Sequence, residues 1–272
     1  MNSEMRMDLP VLYDKIRRAL AHVLVLKDGE AISKGSGFCF LPTGEILTAA
    51  HTAVGGFPAR EEDWADKART IIVRFVLQDK MLRYKIAVCP VEIHHSAAGM
   101  KPLQLDIAIL VPVEVQQNSF EYLPASVKPP QLGEELFFAG YSDEIEFPFG
   151  ADRLVPSSAI GIDAFRKEYS YGIKQIVSGP MIKRGVVGNA IQLTAKGSLA
   201  SINVTAFYLD NQIHFGASGG PIVAHDGSAK GIIVKRAMTS TDSKEGDSIP
   251  VPSGSTMGMA LDILAAMAHL QR

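Results

Sequence analysis

Between Ala21 and Leu261 the chain is written as short β-rich runs cut by turn signals, and that punctuation confines its body to an all-β class. Val23 to Leu26 and Ile32 to Leu41 flank Asp28-Gly29, a strong hairpin signal, and Pro42-Thr-Gly44 turns the chain into Ile46 to Ala49. Thr70 to Leu77, Met81 to Cys89 and Leu105 to Val111 continue the series. These runs supply about six strands, enough to close a small barrel. A second β-rich half opens at Gly133 to Tyr141. It continues through Ile173 to Val177, Met181 to Lys183, Ala190 to Thr194, Asn203 to Leu209, Pro221 to Ala224, Gly231 to Lys235 and Thr256 to Leu261.

Helical patterns stand at both ends. Asp8 is placed to cap a short helix that tolerates Pro10 in its first turn and carries Leu12, Ile16 and Leu20 on one stripe. We expect it to pack on the outside of the first barrel. A closing helix is expected over Ala260 to Leu270, with Ile263, Leu264, Met267 and Leu270 sharing a face. Arg60 to Arg69, which holds Trp64, reads as a solvated helix or loop. Ser142 to Tyr171 and the polar stretch Thr239 to Ser255 read as long loops, the kind of segment that carries specificity.

Charge and cysteine usage exclude several function classes. With 27 basic and 29 acidic residues the net charge is −2, so no global field points to nucleic acid or an anionic membrane. No run approaches the ~20 apolar residues that span a bilayer. Lys15-Ile-Arg-Arg18 with Ala19 to Leu26 is too short an apolar stretch, and too quickly followed by Lys27-Asp-Gly-Glu30, to read as a signal peptide. The only cysteines, Cys39 and Cys89, fit a reducing compartment, and we expect a cytoplasmic location. His94-His95 has no accompanying cluster of metal-ligating side chains, so neither a metal nor an organic cofactor is expected.

Three spaced stretches carry chemistry. Gly216 to Pro221 reads Gly-Ala-Ser-Gly-Gly-Pro, a serine held between glycines and flanked by apolar runs. Such a backbone can bend tightly, present one hydroxyl and aim amides at a neighbouring point. Ile46-Leu-Thr-Ala-Ala-His51 sets a histidine directly after a strand-like run, and Leu105-Asp106-Ile-Ala-Ile-Leu110 sets a carboxylate inside another. A serine hydroxyl is too weak an acid to attack an amide unaided. It needs a base, His51, and the base needs an orienting acid, Asp106.

With these motifs in the order His, Asp, Ser, the chain resembles the chymotrypsin/trypsin-fold serine proteases, and within them the bacterial, disulfide-free branch that includes the HtrA/DegP protease domain. The likeness rests on Gly35-Ser-Gly-Phe38 ahead of Thr48-Ala-Ala-His51, Asp106-Ile-Ala-Ile109, Gly216 to Pro221 and Gly231-Ile-Ile-Val234. The resemblance implies two six-stranded antiparallel β-barrels sharing a cleft. Residues 1–20 would then be a helical extension, 21–111 the first barrel, 112–130 the connection, and 131–272 the second barrel with its helix. It also implies Ser218 as nucleophile, His51 as base, Asp106 as its partner, and the amides of Gly216 and Ser218 as oxyanion hole. By the same likeness Gln212 lies at the base of the primary pocket, Val234, Lys235 and Arg236 form one wall, and Gly258 leaves room on the other.

Departures from the family pattern narrow the expectation. Ala217 stands where zymogen-activated members carry an aspartate, so maturation by a newly cut N-terminus is not expected. Val234 stands where a serine usually supports the triad aspartate. No acid lies at the pocket base, which disfavours a preference for Lys or Arg; Lys235 and Arg236 raise the idea of an acidic one. The Gly-x-Ser-x-Gly pattern also matches an α/β-hydrolase elbow, but that fold needs a helix after the serine, and Pro221-Ile-Val-Ala224 is strand-like.

The expected function is an intracellular serine endopeptidase acting on a protein or peptide, by limited proteolysis of one partner. The alternative is a protease-fold binding module whose oxyanion loop orders only on a regulatory partner. A third reading, a protease-chaperone, would require an oligomer and is separated by chromatographic mass.

Overall fold

Asp28 and Gly29 both take positive φ, 51° and 84°, the backbone that a two-residue hairpin of the favoured twist demands. They join β1 (Leu20–Lys27) to β2 (Glu30–Cys39) with Lys27 opposite Glu30 in the computed structural model. That structure describes residues 6–76, 81–89, 91–93, 103–114, 116, 118–144, 179–196, 201–242 and 248–265. The hairpin continues into β3 (Ile46–Thr48), β4 (Arg69–Phe75), β5 (Leu82–Val88) and β8 (Ala108–Pro112), which close in the order β1-β2-β3-β8-β5-β4. A second barrel closes from β9 (Glu135–Gly140), β10 (Met181–Lys196), β11 (Ser201–Leu209), β12 (Pro221–Val223), β13 (Ala229–Asp242) and β14 (Ser248–Ala260) in the order β10-β11-β14-β13-β12-β9. All named pairings are antiparallel, so the fold is all-β with two six-stranded barrels.

Alternation fills each barrel. On β4 it is Ile71, Val73 and Phe75 that are buried, and they join Val23, Val25, Ile46, Tyr84 and Leu110 inside the first barrel. Leu136, Phe138, Val187, Phe207, Leu209, Ile222 and Ile233 fill the second. The seam between them is a third apolar cluster that draws Phe38 and Leu47 from the first barrel and Phe137, Tyr141 and Val223 from the second. Cys39 and Cys89 are free, buried thiols, and burial pushes the Cys89 thiol up to about 12. The connection after β8 is strapped to both bodies: the Leu123 amide donates to Cys39 O at 2.9 Å, and the Ser126 amide to Ala229 O at 2.8 Å.

Several elements differ from expectation. The first helix, α1 (Leu9–Ala19), packs at the seam rather than on the outside of the first barrel. Its fully buried Leu12 and Ile16 join the seam cluster, the Met7 amide donates to His225 O at 2.9 Å, and Tyr13 meets the edge of Phe137. Burying two such side chains contributes roughly 3–6 kcal/mol before entropy is counted, which ties the helix to the second barrel as much as the first. The Asp8 side chain makes no capping bond. Met181 to Lys183 and Ala190 to Thr194 belong to one strand, β10, and the described parts of Thr239 to Ser255, 239–242 and 248–255, are strand rather than loop: Thr239 pairs with Val251 and Asp242 with Ser248 in an extended β13–β14 ribbon. Ala260 ends β14 instead of opening the last helix; of the described residues after it, 263–265 are helical, and the rest of that expectation falls outside the described residues. The run Leu105 to Val111 breaks at Asp106, because β7 (Leu103–Leu105) pairs with β6 (Val91–Ile93) in a separate two-stranded sheet. Segment 60–69 contains the short helix α3 (Glu61–Ala65). Expectations for 145–171, for 173–177 and for His94-His95 fall outside the described residues. Among the described residues no helix is long and apolar enough to cross a membrane.

Candidate active site

The break at Asp106 is what aims its carboxylate. The chain bends between β7 and β8, with the Ile107 amide donating to Leu105 O at 2.8 Å, and the side chain leaves the sheet toward the end of β3. There the chain leaves β3 through Ala49 into a single helical turn, α2 (Ala50–Val54), closed by Gly55 in the left-handed region. His51 lies in that turn. Its amide donates to Asp106 Oδ1 at 2.9 Å, and its Nδ1 lies 2.7 Å from Asp106 Oδ2. Both carboxylate oxygens are therefore used, which offsets the cost of an acid only 7% exposed. A carboxylate accepting at Nδ1 places the ring proton there and leaves Nε2 as a base.

Ser218 lies on the turn between Leu209 and β12. Its backbone carbonyl accepts from the Ser36 amide at 2.8 Å, locking it to the first barrel, and Gly219 N donates to Ile233 O at 2.7 Å. The Ser218 hydroxyl donates to Val234 O at 3.1 Å, and no hydrogen bond joins it to His51. Val234 thus contributes a backbone acceptor rather than support for the aspartate.

Gly219 shows how closely the turn is held. With φ at 85° it occupies left-handed backbone, and a Cβ there would fall on the Ser36 carbonyl and the Thr48 hydroxyl and lie 2.7 Å from Ala49 N. The glycine is required by the protein's own first barrel. Gly219→Ala is expected to cost on the order of 3 kcal/mol, combining strained φ with a backbone clash. The urea midpoint measures it, and an unshifted midpoint would contradict this packing.

The groups around Ser218 N sort by what they bond. Phe215 O accepts from the Asp143 amide at 2.9 Å, and Gly216 O accepts from Ser36 Oγ at 2.8 Å. Ser36 Oγ in turn accepts from Tyr141 N at 2.9 Å. The Ala217 amide donates to His214 O at 3.4 Å. The amides of Gly216 and Ser218 have no acceptor among the described residues. Two unpaired donors two residues apart beside a hydroxyl are what a developing oxyanion requires.

The residues expected to line a pocket have separate surroundings. Gln212 O accepts from Lys183 Nζ, a cation the sequence did not single out. Burial and the nearby Arg236 charge hold that ammonium below the usual lysine value. Arg236 does not present a bare charge: it donates to Glu144 Oε1 at 2.6 Å and stacks over the Phe215 ring at 3.8 Å. Lys235 is exposed. The space a Gly258 Cβ would need is taken by Phe207 and Ile222 of the barrel core. His214, given no role from sequence, brings Nδ1 to 3.4 Å from Glu144 Oε2. Ser36, Glu144 and Lys183 act on backbone atoms remote in sequence; Ser36 lay in Gly35-Ser-Gly-Phe38, Glu144 in the loop expected over Ser142 to Tyr171 and Lys183 in the strand expected over Met181 to Lys183, but none had been given this role. No group of three or more metal-ligating side chains occurs among the described residues.

The sequence model of the trypsin-like peptidase domain matches residues 35–232, a span that holds His51, Asp106 and Ser218. No curated protein matches the chain. Among solved structures, the active form of Rv3671c protease from M. tuberculosis is similar with a TM-score of 0.52 at 12% identity, over 97% of this chain and 87% of that one. The inactive form of Rv3671c protease gives 0.50 at 13% identity, over 98% and 97%. At such identity the likeness speaks for the fold alone.

Proposed function

Because the chain belongs to the trypsin-like peptidase domain family, we propose that it is a serine endopeptidase whose nucleophile is Ser218, base His51 and orienting acid Asp106. The observation that carries this reading is the doubly bonded His51–Asp106 pair together with the turn in which the Gly216 and Ser218 amides, without acceptors among the described residues, lie beside the Ser218 hydroxyl. In the proposed reaction His51 Nε2 takes the Ser218 proton as Oγ bonds to the substrate carbonyl carbon. The carbonyl oxygen becomes an oxyanion held by the Gly216 and Ser218 amides. Collapse expels the amine, which receives the proton from His51, and water repeats the sequence on the acyl ester to release the acid.

Attack requires the Ser218 hydroxyl to exchange Val234 O for His51. One neutral hydrogen bond is worth about 0.5–1.5 kcal/mol net, and side-chain rotation is fast, so this resting arrangement is a small barrier. The substrate is a protein or peptide. The β13–β14 ribbon beside Val234 offers surface for selecting one partner for limited cleavage, and two free buried thiols fit action in the cytoplasm.

The Ser218–Val234 bond also favours a second reading, a binding module that becomes active only when a partner turns the hydroxyl to His51. A fluorophosphonate separates the two. The purified chain is expected to gain one adduct by intact mass, mapping to the Ser218 peptide. An unlabelled, folded chain would point to the conditional module.

A further inference from the structure

Residues 143 and 144 grip both sides of one residue of the turn that leads to Ser218. The Asp143 amide holds the Phe215 carbonyl at 2.9 Å, and Glu144 Oε2 accepts the Phe215 amide at 3.3 Å. The same oxygen lies 3.4 Å from His214 Nδ1, while Oε1 takes Arg236 at 2.6 Å. Arg236, whose side chain is 10% exposed, completes the clamp by covering the Phe215 ring. Gly216 follows at φ 88°, and a Cβ there would lie 2.9 Å from Tyr141 O, so the turn has little room to relax toward this segment.

The orientation of the Phe215 carbonyl decides whether the next amides are usable. Turned toward Asp143 N it leaves the Gly216 amide free; turned the other way it would itself occupy the space where an oxyanion must sit. We infer that Glu144, steered by Arg236, is a positioning residue that holds the 214–216 turn with the Gly216 and Ser218 amides free to receive an oxyanion. This rests on the endopeptidase reading above and assigns Glu144 no contact with substrate. Burial raises the Glu144 carboxyl, but hydrogen bonds from Arg236 and the Phe215 amide and the Arg236 charge outweigh it and keep the group below the usual glutamate value, hence ionised.

The test compares wild type, Glu144→Ala and Glu144→Gln by fluorophosphonate labelling rate and by kcat and KM on a peptide substrate, with melting curves to establish folding. Glu144→Ala is expected to lower the labelling rate and kcat together by about 10- to 100-fold, less than removing an oxyanion donor outright, with KM within about twofold. Glu144→Gln keeps an acceptor for the Phe215 amide and is expected to recover to within about threefold of wild type. Wild-type labelling with an equally reactive, folded Glu144→Ala overturns the assignment while leaving the endopeptidase reading intact. So does a loss confined to KM, or a glutamine variant as impaired as alanine. A wild type that neither labels nor cleaves overturns both.

Discussion

Ser218→Ala is expected to lower kcat by about 10⁵- to 10⁶-fold while KM and the melting temperature stay near wild type. The hydroxyl's single bond is to Val234 O, a neutral contact whose loss costs about 1 kcal/mol. Every bond that shapes the turn belongs to the backbone or to other side chains: Ser218 O to Ser36 N, Gly216 O to Ser36 Oγ, Phe215 O to Asp143 N. The variant should therefore fold with its oxyanion amides in place and keep only the modest rate enhancement that binding and those amides supply. His51→Ala should cost about as much, and the double variant little more, because base and nucleophile act as one unit. Rates per mole of folded protein, quantified by absorbance because the variant has no serine to titrate, measure this. A Ser218→Ala protein retaining more than about 1% of activity would show that another group is the nucleophile.

The parts of this site that were legible in the sequence are those whose chemistry is local. Gly216 to Pro221 announces a tight serine turn by composition, and His51 follows its strand within a few residues. The placement of Asp106 was legible only as type and order. Leu105 and Ile107 to Leu110 read as one apolar run, yet the chain breaks between them because Leu103–Leu105 pairs with Val91–Ile93, a partner that no local pattern names. Strand lengths in the second half failed for a related reason. Gly185 and Gly188 look like turn residues inside 181–196, but Gly185 lies in β10 where a Cβ would crowd Asp210 and the Phe138 ring, so close approach rather than a bend explains it. Among the described residues the polar stretch after Met238 shows no buried face, with 239–241 and 248–250 exposed, and without one the period-two signal of a strand disappears even though Thr239 to Asp242 is fully paired. The roles of Ser36, Glu144 and Arg236 were not legible at all. Each acts on a backbone group or charge more than 70 residues away, Ser36 on Gly216 being 180 positions distant, and side-chain type alone does not encode such a partner.

Asp106→Asn tests how much of the reaction depends on the state of His51 rather than on its position, and a fall in kcat of about 10⁴-fold is expected. Asparagine is close to isosteric, and its amide oxygen can still accept the His51 backbone N–H that Asp106 Oδ1 accepts at 2.9 Å, so α2 should keep its place. The other atom changes sign. Where Oδ2 accepts from Nδ1 at 2.7 Å, an amide NH₂ can only donate, which forces the imidazole proton onto Nε2. That nitrogen then faces Ser218 as a donor and cannot take its proton, and no buried carboxylate remains to stabilise an imidazolium. Fluorophosphonate labelling should slow by a similar factor, since it too needs the serine deprotonated as it attacks. Unlike Ser218→Ala, the variant should still label slowly to one equivalent, because the nucleophile and its oxyanion amides are intact. A loss below about tenfold, in a protein shown to be folded, would mean that Asp106 anchors α2 without setting the tautomer, and that the base is oriented by some other group.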